Sequence, residues 1–311
     1  MNGPDNSTTH TNDALIGALF VLASGFGFGS VTVFARIAFE GGSNAPTSLA
    51  FRFGLGALIF WLLLLTRRRV RKLPTHRIAA FALMGVLFAA GSTTSFMSVE
   101  RIPASLSAVV FYIYPAIVTA GSALIFGTRF SLPQLGVLVA AVAGCALTVD
   151  LQSGDIDALG LGLALVTPCF YSCYVLIGSR ATLGVPPLNA SAWIMSFAAP
   201  LMVLVGVTGL VGDGLTTDIS ARGWAAIGGL AIFSTVISVS TFLAGMARLD
   251  PFRASIISTI EPVVSVVMAA LLLSERLTTQ QIIGGVIIVA STIALQLIQR
   301  RREPGSETRS T

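Results

Sequence analysis

Charge is scarce in this sequence, and lysine almost absent. Among 311 residues, 19 basic and 14 acidic side chains make up only 11%, against about 25% in a typical soluble domain. So few charges cannot cover a soluble surface, and a soluble enzyme is excluded. Lys72 is the only lysine and lies in a basic segment. A Walker-type loop needs a lysine directly after its glycines, so the chain has no ATP site of that kind. The two histidines, His10 and His76, fall outside the apolar runs, and no aspartate lies in the middle of one. The acid pairs, nucleophile–base pairs and metal-ligand sets of an intramembrane enzyme are therefore lacking, and no cofactor or metal is implied. Nothing resembles the repeated carbonyl or charge ring of a channel filter. Of the three cysteines, Cys169 and Cys173 are one helical turn apart, poorly placed to bridge, and with Cys145 they are expected to be small packing residues.

Apolar residues dominate instead: 54% of the chain, with a mean hydropathy of +0.85. They fall in runs near 14–38, 47–66, 78–98, 103–127, 132–149, 159–179, 187–211, 222–247, 251–273 and 280–298. About 20 residues cross a hydrocarbon core of ~30 Å as a helix. The expected fold class is an all-α polytopic membrane protein with ten transmembrane helices, flanked by tails at 1–13 and 299–311. The first tail is polar and the first apolar run is too long for the core of a cleaved signal, so none is expected.

The net charge of +5 does not indicate a nucleic-acid partner, because the basic residues cluster directly after apolar runs, as juxtamembrane anchors do. With the N-terminus in the cytoplasm, the inner segments hold fourteen Lys and Arg, among them Arg67–Arg77 and Arg300–Arg302. The outer ones hold four: Arg36, Arg101, Arg222 and Arg276. This bias predicts that both termini are cytoplasmic. The acidic loop at 150–157 would then face outward.

The chain also repeats itself. Ala104–Pro115 reads ASLSAVVFYIYP and Pro251–Pro262 reads PFRASIISTIEP. At one offset of 147, Arg101 meets Arg248, Pro115 meets Pro262 and Arg129 meets Arg276. Span four thus corresponds to span nine, and the units are 14–149 and 159–298. Five spans per unit force the halves into opposite orientations, giving two inverted five-helix repeats with a site expected near the midplane between them.

In the second half, Ala247–Leu249, Ala254–Ser255, Glu261–Pro262, Leu273–Leu277 and Gly284–Gly285 follow in order, and Pro46, Ala50 and Arg52 stand in span two. In these residues the chain resembles the EamA-type family of the drug/metabolite transporter superfamily. The resemblance implies a ten-helix carrier of the bacterial inner membrane whose spans 1, 3, 4, 6, 8 and 9 surround a cavity. It also implies export of small metabolites, amino acids or related compounds leading. The rival reading is a sensor or assembly factor on the same scaffold, without transport.

Glu261 is the first candidate for the chemistry. An ionisable group at membrane depth costs at least ~2.5 kcal/mol unless protonated, paired or wetted. It is either a cavity-facing site for a proton or a substrate ammonium, or a structural carboxyl. Arg253, about 12 Å back along the helix, is too far for an intrahelical pair. Pro262 removes the helical bond to the Ser258 carbonyl, and Pro115 does the same at Phe111, so the two prolines are candidate hinges and Ser258 a candidate lining residue. Tyr112, Tyr114 and Tyr171 lie near mid-span, where a phenol needs a partner. Tyr112 and Tyr114 point to opposite sides, and the repeat sets Tyr114 opposite Glu261. Phe26, Phe28 and Tyr174 could add aromatic lining. Arg52, about 8 Å inside span two, either snorkels to the headgroups or binds an anionic group. Gly25 and Gly29 form a small-xxx-small pair, and Gly136, Ala140 and Gly144 a stripe, both expected to serve close packing.

Overall fold

The structure is a computed structural model, and it describes residues 6–99, 101–102, 107, 110–147, 157–210, 214–272 and 278–300. The loop at 150–156, the segment 273–277 with Arg276, and Arg301, Arg302 and Arg309 lie outside the described residues.

Thirteen helices and one π-helical turn follow each other among the described residues, with no strand. They are α1 (Asn6–Gly29), α2 (Val31–Glu40), α3 (Ala45–Thr66), α4 (Thr75–Val99), α5 (Tyr114–Phe126), α6 (Leu132–Leu147) and α7 (Ala158–Ala181). Then come α8 (Pro187–Thr208), α9 (Ala221–Ala231), the π-turn (Ile232–Ile237), α10 (Ser238–Met246), α11 (Pro251–Ser258), α12 (Glu261–Leu272) and α13 (Thr279–Arg300). Among the described residues, seven stretches are long and apolar enough to cross a membrane, and Tyr114–Phe126, Leu132–Leu147 and Thr279–Leu295 are shorter apolar helices.

Polar side chains start the helices where the sequence permits. Asn44, Asp157, Ser220 and Asp250 accept the backbone N–H three residues on, each such cap being worth about 1 kcal/mol. Pro251 follows Asp250 at a position where the missing N–H costs nothing. Gly127 and Gly209, at φ 64° and 63°, end α5 and α8 in the left-handed conformation glycine tolerates.

The main packing pairs are α1 with α10, α3 with α8, α4 with α7 and α8, and α6 with α13. Glycine lets several of them close. A Cβ on Gly85 would stand 2.5 Å from the Ile194 carbonyl, and one on Gly144 3.0 Å from that of Gly284. Gly136 has open space instead, so only the Gly144 end of its stripe serves packing. Large apolar side chains such as Leu124, Leu132, Leu210 and Leu271 are exposed on the outside of the bundle, as lipid contact requires.

The loops gather at two ends. At one, the Asn44 amide donates to the Gly214 carbonyl, Thr216 N–H to Thr47 Oγ1 and Ser220 N–H to the Gly41 carbonyl. At the opposite end, Asn189 holds the basic segment, accepting from Arg71 N–H and donating to the Arg69 carbonyl. Arg248 there meets Asp13 at 3.7 Å.

Candidate functional site

Span nine is broken, not merely kinked. The α11 helix stops at Ser258, Thr259 and Ile260 form a tight turn, and α12 opens with Glu261–Pro262. Thr259 N–H bonds to the Ile256 carbonyl and Ile260 N–H to that of Ile257, the short spacing that a following proline favours at a helix end. Thr259 N–H therefore leaves the Ser255 carbonyl, and the phenol of Tyr114 donates to that carbonyl at 2.9 Å. Span four carries the matching break: Phe111 ends a helical stretch, Tyr112 and Ile113 turn, and α5 opens with Tyr114–Pro115. The breaks are 147 residues apart, and each supplies a residue to the other's surroundings.

Glu261 is 8% exposed, and its Oε1 has no hydrogen-bond partner among the described residues. The aromatic groups of Tyr112, Tyr114 and Tyr171 and the thiol of Cys145 lie within its electrostatic reach. Ser258, one turn earlier, buries its hydroxyl beside the Tyr114 phenol with no partner of good geometry. Arg253 is engaged elsewhere, 2.8 Å from Asp250. Two buried oxygens without partners among the described residues, at one helix break, mark a place where a ligand or proton can be received.

Rings wall one side of this break. Tyr114 meets Tyr171 edge-on at 4.9 Å, Tyr171 stacks on Tyr174 at 5.9 Å, and Tyr174 stacks on Phe242 at 6.4 Å. Phe28 of α1 reaches Phe242 at 6.3 Å. Of the sequence candidates, Glu261, Ser258, Tyr114 and Tyr171 are thus brought together at Pro115 and Pro262, with Phe28 at the far end of the ring series. Phe26 is 62% exposed and faces away.

Span one approaches closely on the other side. A Cβ on Gly29 would stand 2.7 Å from the Glu261 carbonyl, and one on Gly25 would run into Ile260. Gly27, on the opposite face, abuts Ser238 and the Phe233 carbonyl of span eight. The alternating glycines therefore wedge α1 between two irregular helices.

Arg52 does not belong to this cluster, and it does not snorkel. It is 4% exposed, its Nε donates to Thr235 Oγ1 at 2.8 Å and its Nη2 to the Ser234 carbonyl at 3.0 Å. Its headgroup is drawn inward because the π-turn frees carbonyl groups that need donors. Thr235 and Ser238 answer the same need by bonding back to the Leu230 and Phe233 carbonyls, five residues earlier. The π-turn and its contact with Ser30 escape the sequence reading, the one signal being hydroxyl side chains clustered at 234, 235 and 238. Cys169 and Cys173 also differ from expectation: both are exposed on α7, and only Cys145 is buried.

Residues 15–150 and 158–296 each match the EamA-like transporter family. The uncharacterized inner membrane transporter YedA of Escherichia coli K12 is 27% identical over 289 residues, covering 91% of this chain and 90% of that one. The uncharacterized transporter YcbK of Bacillus subtilis is 23% identical over 85% and 88%. A protein of Escherichia coli K12 named a probable amino-acid metabolite efflux pump is 24% identical over 60% of this chain and 65% of its own. A known crystal structure has a TM-score of 0.77 at 19% identity, covering 93% of this chain and 99% of that one.

Proposed function

Since the chain belongs to the EamA-like transporter family, we propose that it is a secondary carrier exporting small metabolites, amino acids or related compounds, by alternating access. In this reading ten spans form two inverted five-helix repeats, 14–149 and 159–298, with both termini in the cytoplasm of a bacterial inner-membrane protein. The resemblance to a probable amino-acid metabolite efflux pump favours the substrate class, and the fourteen-to-four distribution of basic residues favours the orientation. A reporter active only outside the cytoplasm is expected to be silent when fused after residue 302 and active near residue 154. The reverse pattern overturns the sidedness.

The observation that carries the proposal is the buried Glu261 carboxyl, with one oxygen unpartnered among the described residues, at a helix break faced by tyrosines of the other half. The carboxyl takes up and releases the coupling proton as the cavity dries and wets, Tyr114 holds the break in shape, and Tyr171, Ser258 and Phe28 line the path. Glu261→Gln keeps the size and removes titration. In proteoliposomes or overexpressing cells, it is expected to abolish accumulation driven by a proton gradient while leaving downhill exchange. Transport with unchanged pH dependence would make the carboxyl structural. Cells overexpressing the correctly inserted wild-type chain, with no change in any extracellular metabolite, would refute the carrier itself.

A further inference from the structure

Spans one and eight are irregular at the same level. Ser30 interrupts span one between α1 and α2, and the π-turn interrupts span eight between α9 and α10. The Ser30 and Ser234 hydroxyls touch at 2.8 Å. On one side of this level α2 packs along α9, and on the other α1 packs along α10. Two neighbouring spans are thereby divided into two pairs. The α2–α9 pair has a small core of its own around Ala38, Ala226 and Ile227, and Ser220 N–H ties its far end to the Gly41 carbonyl at 2.8 Å. Serine interruptions and π-turns are where long helices bend, and element ends absorb the change when parts of a protein swing.

Arg52 of α3 reaches this level and no other. A guanidinium inside the membrane is costly by several kcal/mol, and no ion pair compensates it among the described residues. Its two acceptors both belong to the π-turn. Packing alone would be served by a leucine, and a lipid-facing arginine would extend to the headgroups. At the far end of α2, Phe39 meets Phe96 of α4 edge-on at 6.2 Å, across the boundary between the α2–α9 pair and the rest of the bundle.

We propose that α2 and α9 swing as one leaf about the Ser30–Ser234 contact, with Arg52 as the positioning residue that pins this pivot to α3. The Phe39–Phe96 contact is then the shut outward mouth of the pathway. The inference rests on the carrier reading and on its orientation, and it assigns to Arg52 a role in motion instead of substrate binding.

The test uses the full chain with Cys145, Cys169 and Cys173 replaced by alanine, and a short bis-methanethiosulfonate reagent. One pair, Phe39→Cys with Phe96→Cys, spans the mouth; a second, Ala38→Cys with Ala226→Cys, lies within the leaf. Bridging the first is expected to lower export by roughly tenfold or more and dithiothreitol to restore it, whereas bridging the second leaves most export intact. Export that survives the first bridge, or is stopped by the second, overturns the leaf. Adding Arg52→Gln to the mouth pair is expected to lower the bridging yield several-fold in folded protein, with Arg52→Lys intermediate. A purely structural arginine would lower the melting temperature and leave that yield unchanged, which overturns the pin. Should Arg52→Gln not fold, the Arg52→Lys yield decides the pin and the two bridges decide the leaf. Bridging yields need no substrate, so failure of the carrier reading shows separately, as absence of export from the unbridged protein.

Discussion

Gly29 offers a direct measure of how tightly the carboxyl-bearing helix is held. Replacing it by alanine puts a Cβ 2.7 Å from both the Glu261 carbonyl oxygen and Val264 Cβ, where ordinary contact begins at 3.4 Å. Both neighbours are backbone or attached to it, so neither can rotate away. Overpacking of this kind costs about 1–3 kcal/mol. Alanine returns up to about 1 kcal/mol over glycine in a helix, leaving a net loss of about 0–2 kcal/mol. Gly54 supplies the reference, because a Cβ there meets nothing within 4 Å, and Gly54→Ala should keep the helix gain. The two variants should differ by about 1–3 kcal/mol, read from reversible unfolding in mixed micelles. Gly85→Ala adds a second comparison, since its Cβ would meet the Ile194 carbonyl at 2.5 Å, in the contact of α4 with α8. Gly29→Ala should lose export per folded molecule, while Gly85→Ala loses stability but keeps export. Equal midpoint shifts for Gly29→Ala and Gly54→Ala, or equal export defects for Gly29→Ala and Gly85→Ala, would mean that α1 does not hold the Glu261 helix in place.

Tyr114→Phe leaves the Ser255 carbonyl, already released by Thr259, without a donor, and should cost about 1–3 kcal/mol in thermal unfolding. Unlike Glu261→Gln, it should leave the pH dependence of transport in place. Asn189→Ala removes both bonds to the basic segment and should cost about 1–3 kcal/mol. Protease nicking at Arg67–Arg71 should accelerate, with the KM for export unchanged.

Proline made half of the site legible in the sequence. Pro115 and Pro262 locate both breaks, and their common offset singles out Tyr114 as the partner of Glu261, because a missing N–H acts locally and is visible in the residue itself. Gly25 and Gly29 were legible for the same reason. The π-turn was not: Ile232–Ile237 contains neither proline nor glycine, and its extra residue is stabilised by groups from elsewhere in the chain. Arg52, 182 residues before Ser234, is one of them. Taken alone, an arginine near a span end is expected to seek headgroups, and only knowledge of the freed carbonyls would reverse that expectation. Cys169 and Cys173 show the complementary limit, since hydropathy does not say which face of a membrane helix meets lipid.

The break at Thr259–Ile260 also bears on how the protein is made. At 1.5 Å per residue, the eight residues of α11 span about 12 Å and the twelve of α12 about 18 Å. Neither rod alone crosses a hydrocarbon layer of ~30 Å, whereas the unbroken stretch of 22 residues does. Released into lipid without neighbours, a broken span would expose the carbonyls of its last turn to hydrocarbon. Membrane insertion during synthesis therefore favours the continuous helix. The turn is held by the Tyr114 phenol at the Ser255 carbonyl and by the glycine face of α1 against Ile260. The shape that defines the site is thus a product of assembly, completed only when segments more than 200 residues apart in the sequence have met inside the bilayer.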